Sequence, residues 1–245
     1  MRSPRTSWTS SRPLFAFSTL LLLSGLLPTT HTRADVTMQG TRGGSPLVLN
    51  QPEDYLLRNV RISGVSDRAA LTLAGPIRSI TIENSKFGEI WSGENHKAAA
   101  MESVGASVGS IKITDSAFYD AENQLVSLRD GSFGTVTFMH CTFKTSDAFL
   151  KKIYAANPWR TAPPTTEFYN IERLELLDNE FSNTTIVIHP SVKTVVLRGD
   201  ISKMLIESPD TQVIRLTPRS APPLPLPPPT YAGTLDLATR ALPQK

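Results

Sequence analysis

One eight-residue phrase returns four times: ITIENSKF at Ile80–Phe87, IKITDSAF at Ile111–Phe118, VTFMHCTF at Val136–Phe143 and LELLDNEF at Leu174–Phe181. Each copy starts as a short alternating strand, reaches a polar corner and ends on phenylalanine. Self-similarity at this scale means stacked supersecondary units, each burying its apolar side against its neighbours.

The first inward residue of each unit is read as Val60, Ile80, Ile111, Val136, Leu174, Val195 and Val213, at intervals of 20, 31, 25, 38, 21 and 18 residues. A base period near 20 with two swollen intervals fits a solenoid with insertions on one side. The Leu-x-x-Leu-x-Leu pattern of a leucine-rich horseshoe is absent. A second strand is expected between anchors, at 46–49, 69–73, 98–103, 124–129, 148–153, 185–188 and 204–206, with a third short one near each phenylalanine. No long helical period is apparent. Asn84, Asp115, His140 and Asp178 share the corner position, where a left-handed backbone favours Asn and Asp. Phe87, Phe118, Phe143 and Phe181 should stack as an inner aromatic ladder, each ring contributing about 1.5–3 kcal/mol by burial. Ser85, Ser116, Cys141 and Asn179 form a tight column between, which makes Cys141 a core thiol rather than a reactive one.

This phrase resembles the right-handed parallel β-helix of the pectin-lyase-like superfamily, over roughly residues 46–217. The resemblance implies an all-β solenoid of about seven turns. It does not imply one activity, since that fold carries lyases, hydrolases, esterases, epimerases and adhesins.

Residues 1–34 read as a secretory signal peptide: Arg2, Arg5 and Arg12, an apolar run from Leu14 to Leu27, then Thr32-Arg33-Ala34. An uncleaved anchor is the other reading. The domain is expected over 35–217, with 35–45 as a cap or loose lead. The tail 218–245 holds Pro222-Pro-Leu-Pro-Leu-Pro-Pro-Pro229, a polyproline segment that either stops the solenoid and spaces it or docks into a partner's aromatic groove. Four of the 25 basic residues and none of the 22 acidic ones lie in 1–34. The remainder is therefore nearly neutral, and the basic pI gives no argument for nucleic acid. No apolar run after the signal is long enough to span a membrane. A single cysteine forbids an internal disulfide. Secretion or a periplasmic location follows as an expectation.

Chemistry is expected in the swollen intervals. The first carries Trp91, Glu94, His96 and Lys97; the second carries Lys151, Lys152, Tyr154, Trp159 and Arg160. An aromatic face beside a cation suits a sugar ring bearing a carboxylate. Strand ends align Glu102, Arg129, Lys152 and His189 as a charged stripe beside both loops. The leading reading is a non-catalytic exported protein that binds an acidic polysaccharide or an envelope partner, with Trp91, Lys97, Glu102, Arg129, Lys151, Lys152, Tyr154, Trp159 and Arg160 as binding candidates. A structural role, with stacked tube ends and an anchoring tail, is a third reading. The enzymatic alternative is a small lyase or epimerase of uronate glycans. It would use Lys152 or His96 as base, Arg129 or Arg160 to neutralise the carboxylate, and Tyr154 as acid. The calcium-binding acidic cluster of the superfamily's lyases and the Asn-Thr-Asp, Asp-Asp and Gly-His-Gly segments of its hydrolases are missing, and a Glu94–Glu102 pair has no defined separation. His96, His140 and His189 lack metal-ligand spacing, and no cofactor motif is present. Asn183-Thr184-Thr185 matches a glycosylation acceptor, of consequence only in a eukaryotic host.

Overall fold

The structure, a computed structural model, describes residues 35–92, 98–200 and 202–217. The signal segment, Glu94, His96, Lys97 and the proline-rich tail lie outside the described residues. Among the described residues, seventeen strands form one sheet, every pairing parallel. It is curled, consistent with a β-helix-like solenoid. Among the described residues no helix is long and apolar enough to cross a membrane.

The pairings resolve into three rows. The first stacks residues 35–38, 54–58, 79–83, 110–114, 135–139, 173–177, 194–198 and 212–215. The second stacks 40–43, 60–63, 86–90, 117–121, 142–144 and 180–182. The third stacks 47–49, 71–74, 101–104, 124–128, 165–168, 185–188 and 204–206. Along each strand side chains alternate between faces, so Ile80 and Ile82 are buried while Thr81 between them is only partly covered.

Rows one and two meet at a corner with left-handed backbone: Asn59 (φ 55°), Asn84 (47°), Asp115 (50°), His140 (54°) and Asp178 (53°). Asn and Asp accept this conformation most readily among non-glycine residues. Stacking also pairs their side chains. Asn84 Nδ2 donates to Asn59 Oδ1 at 2.6 Å, His140 sits between Asp115 (3.5 Å) and Asp178 (3.7 Å), and Arg198 donates to Asp178 at 2.7 Å.

Just past the corner runs a buried polar ladder. Ser85 Oγ accepts from the Val60 amide, Ser116 Oγ from the Ser85 amide and Asn179 Oδ1 from the Cys141 amide, at 3.0, 3.0 and 2.8 Å. These contacts satisfy amides that the bend removes from the sheet ladder. Cys141 fills the same column, its thiol 3.4 Å from the Met139 carbonyl. Two positions on from this column, the aromatic ladder stands: Phe87–Phe118, Phe118–Phe143 and Phe143–Phe181 stack at 5.6, 5.4 and 5.2 Å with interplanar angles of 18°, 20° and 26°.

Burial pushes the Cys141 thiol up to about 11, from an ordinary 9.0. Between those values the unfolded chain loses this proton while the folded chain keeps it. This contribution to stability is therefore intact below pH 9 and declines as pH rises toward 11. Urea midpoints at pH 8 and pH 10.5 should fall further for the native protein than for Cys141→Ser. The difference should reach about 1–2 kcal/mol, given ~1.4 kcal/mol per pKa unit. A thiol reagent should react with Cys141 only on unfolding.

Three expectations are corrected. Tyr55, not Val60, is in register with Ile80, so the first interval is 25 residues; Val60 lies beyond the corner, on the second row. Residues 35–43 are a strand paired along its length with Asp54–Ser63, not a loose lead. Residues 148–153 belong to a helix, α1 (Asp147–Ala156), and the third-row strand of that unit is Thr165–Phe168. Ser146 caps α1, its Oγ accepting from the Phe149 amide at 3.2 Å. Alanines and long unbranched side chains suit the helix interior. Phe149, Leu150 and Ile153 form its inward stripe, with Ile153 fully buried. Asn157 ends the helix directly before Pro158.

Candidate binding site

The second swollen interval is α1 and the loop after it. Two tethers hold α1 to the end of the strand Ala117–Ala121 and to the corner between it and Gln124–Leu128. At its start, Asp120 Oδ1 accepts from the Ser146 amide (2.6 Å) and Oδ2 from the Ser146 hydroxyl (3.1 Å). At its end, Asn157 Nδ2 donates to Glu122 Oε1 at 3.0 Å. Glu122 is 3% exposed. Its other oxygen accepts from the Ser92 amide (2.8 Å) and the Ser92 hydroxyl (2.6 Å). A buried carboxylate persists only when charge-assisted bonds replace its water. Three donors converge on this one.

The returning loop completes a hollow of about 260 Å³ lined by Glu122, Asn123, Asn157, Trp159 and Arg160. Arg160 Nη1 donates to Asn123 Oδ1 at 3.1 Å and Nε to the Ala162 carbonyl at 3.2 Å. A guanidinium has five N–H groups, so three remain for a ligand. Trp159 is 77% exposed beside it. The hollow is open to solvent, and its volume lies below the ~300–1,000 Å³ of small-molecule pockets. Chemically it offers an apolar platform, a fixed cation and side-chain amides.

The remaining candidates are dispersed. Trp91 is half-buried, edge-on to Phe149 with ring centroids 5.7 Å apart. Its backbone bonds to Val65 and Asp67, so it anchors α1. Lys151 and Lys152 are exposed and Tyr154 half-buried on α1. The charged stripe is not one column. Arg129 lies over Tyr169 (5.5 Å), and Tyr169 stacks on His189 (4.3 Å). Glu102 instead shares a column with Thr72 and Ser127 and accepts from the Thr72 hydroxyl at 3.1 Å. Lys152 left that column because its segment is helical. The Trp159 hollow contains none of Lys152, Tyr154 and Arg129. The sequence reading missed Glu122, Asn123 and Asn157. The amide of Asn183 in the glycosylation triplet is engaged, donating to the Thr145 carbonyl and to Asp147 at 2.9 and 2.8 Å.

Comparison of the chain with protein-family models, with curated proteins and with solved structures found no match.

Proposed function

We propose that the chain is an exported right-handed parallel β-helix of about seven turns, of the pectin-lyase-like type, that binds an acidic polysaccharide without cleaving it. The hollow at the end of α1 supports this reading most strongly. Trp159 is the platform for the apolar face of a sugar ring, and the held guanidinium of Arg160 meets a uronate carboxylate. The asparagine amides suit ring hydroxyls. The lateral position, on an insertion carried by a rigid sheet, is where binding residues usually gather. Export to a periplasm or the exterior rests on the leader-like segment at 1–34.

Lyase chemistry needs base, acid and neutraliser around one sugar. Lys152 and Tyr154 stand on α1 while Arg129 packs on Tyr169, and none of the three lines the Trp159 hollow.

Titration of tryptophan fluorescence with oligogalacturonates should give a saturable change. Trp159→Ala and Arg160→Ala should each weaken binding about tenfold, the scale of one lost stacking or charge-assisted contact. Trp159 projects from a surface loop, so its variant should unfold at the native midpoint; Arg160→Ala also loses the bonds to Asn123 and Ala162 and should lower the midpoint only slightly. Flat titrations across uronate and neutral oligosaccharides would overturn the reading.

A further inference from the structure

A second hollow, of about 370 Å³, lies on the outer side of the second row, near the start of α1. Its walls are cationic. Arg61 and Lys86 are register partners on adjacent strands and both are exposed. Lys144 lies in the neighbouring column, in register with Tyr119, which in turn is in register with Gly88. Like charges directly opposite one another on neighbouring strands are unfavourable unless something stands between them.

The centre is hollow because its residues are small. Ala117 follows Lys86 in one column, and Gly88 precedes Tyr119 in the other. Tyr119 lies across Gly88, where a Cβ would fall 2.6 Å from the ring. The Tyr119 hydroxyl is buried beside the Arg61 guanidinium, which can only donate to it, and no acceptor takes its own proton. Burial and the nearby Glu89 carboxylate push this phenol up, with Arg61 opposing, so at neutral pH it is an O–H donor. The carboxylate lining the hollow, Asp120, already accepts two bonds from Ser146. Among the described residues neither Lys86 nor Lys144 has an ion pair or side-chain hydrogen bond. Thr142 is followed in its column by Glu180, which ends the cationic stretch.

We propose that this hollow is an oxyanion site, in which Arg61, Lys86 and Lys144 surround a sulfate, phosphate or carboxylate group and the Tyr119 hydroxyl donates to it. Three exposed cations around a small depression, with a hydroxyl proton lacking an acceptor beside them, match what an oxyanion needs: several charge-assisted donors converging on one place. The site is separate from the Trp159 hollow and does not depend on the polysaccharide reading.

Isothermal titration of the full chain at low ionic strength tests it, with sodium sulfate, sodium phosphate and a sulfated disaccharide as probes. Saturable binding of at least one probe is expected. It should weaken about tenfold or more in Lys86→Ala/Lys144→Ala and by a smaller factor in Tyr119→Phe, and remain unchanged in Trp159→Ala. Binding of the inorganic ions identifies a free oxyanion site; binding of the disaccharide alone identifies a sugar-borne group. The lysines are exposed, so the double variant should fold, checked by an unchanged urea midpoint. No saturable heat with any probe, or binding that survives Lys86→Ala/Lys144→Ala, overturns the proposal. Loss in Trp159→Ala would equally refute a separate site.

Discussion

Phe118→Ala is expected to destabilise the protein by about 3–5 kcal/mol, the range for truncating a fully buried aromatic. Phe118 is the central ring of the ladder, stacked between Phe87 and Phe143 and edge-on to Phe138 at 5.9 Å. Its removal leaves a void between rungs that the neighbouring strands cannot close, because backbone pairing fixes their spacing at ~4.8 Å. Lys112→Ala, on the outer face of the preceding strand, should change stability by less than about 0.5 kcal/mol. Urea denaturation followed by circular dichroism measures both. A Phe118→Ala loss below about 1.5 kcal/mol would mean that the ring is not enclosed by its neighbours. In a stacked chain such a defect can also uncouple the rungs on either side, so a broadened or biphasic transition would be in keeping with the same packing.

Glu122→Ala is expected to be the most damaging single change outside the aromatic core. It leaves the Ser92 amide, the Ser92 hydroxyl and Asn157 Nδ2 without their acceptor, and the first two are buried. Unsatisfied buried donors cost about 1–3 kcal/mol each, with partial relief where water can enter. A total of roughly 2–4 kcal/mol is reasonable, measured as the shift in urea midpoint. The change also releases the C-terminal end of α1 from the sheet, so binding at the Trp159 hollow should fall with stability. Glu122→Gln retains an acceptor and the side-chain shape. It should recover part of the stability, though its amide group would meet a donor in at least one of the three contacts.

The stacking was legible in the sequence because the repeat specifies its own register. A strand slipped by one residue would turn its apolar set outward, and the phenylalanines mark the correct alignment. The copy that escaped notice is Tyr55-Leu-Leu-Arg-Asn-Val-Arg-Ile62. It carries the corner asparagine, but Leu56-Leu57 hides the alternation, Val60 stands where other copies have Ser, Cys or Asn, and Ile62 stands where they have Phe. Corner chemistry was the better guide: Asn59 aligns with Asn84, and Gly199 (φ 100°) takes the same corner after Val195-Val-Leu-Arg198. Helix α1 was obscured for another reason. Phe149, Leu150 and Ile153 form a stripe barely one turn long, and neighbouring strand patterns outweighed it. The signal that identifies it is the Ser146-Asp147 start, a capping residue followed by an acid in the first turn.

The site was legible by residue type and not by partner. Trp159 and Arg160 stand out as an aromatic and a cation in an inserted loop. Nothing local connects them to Glu122 and Asn123. Arg160 meets Asn123 across 37 residues, and Glu122 meets Asn157 across 35; only stacking brings the corner and the loop together. The proposed charged stripe failed because it assumed that 148–153 kept the strand pattern of its neighbours. Once that segment is helical, Lys152 leaves the column and Tyr169 takes the position between Arg129 and His189.

The most direct test of in-register parallel stacking is nitroxide spin labelling at outward register partners in a Cys141→Ser background. Lys112 and Thr137 are paired on adjacent strands, and Thr137 pairs in turn with Glu175. Labels at 112 and 137, about 4.8 Å apart at the backbone, should give a strongly broadened or exchange-narrowed spectrum. Labels at 112 and 175, two strands apart, should interact more weakly. A spectrum for the 112/137 pair equal to the sum of the two single labels would contradict the stacked arrangement.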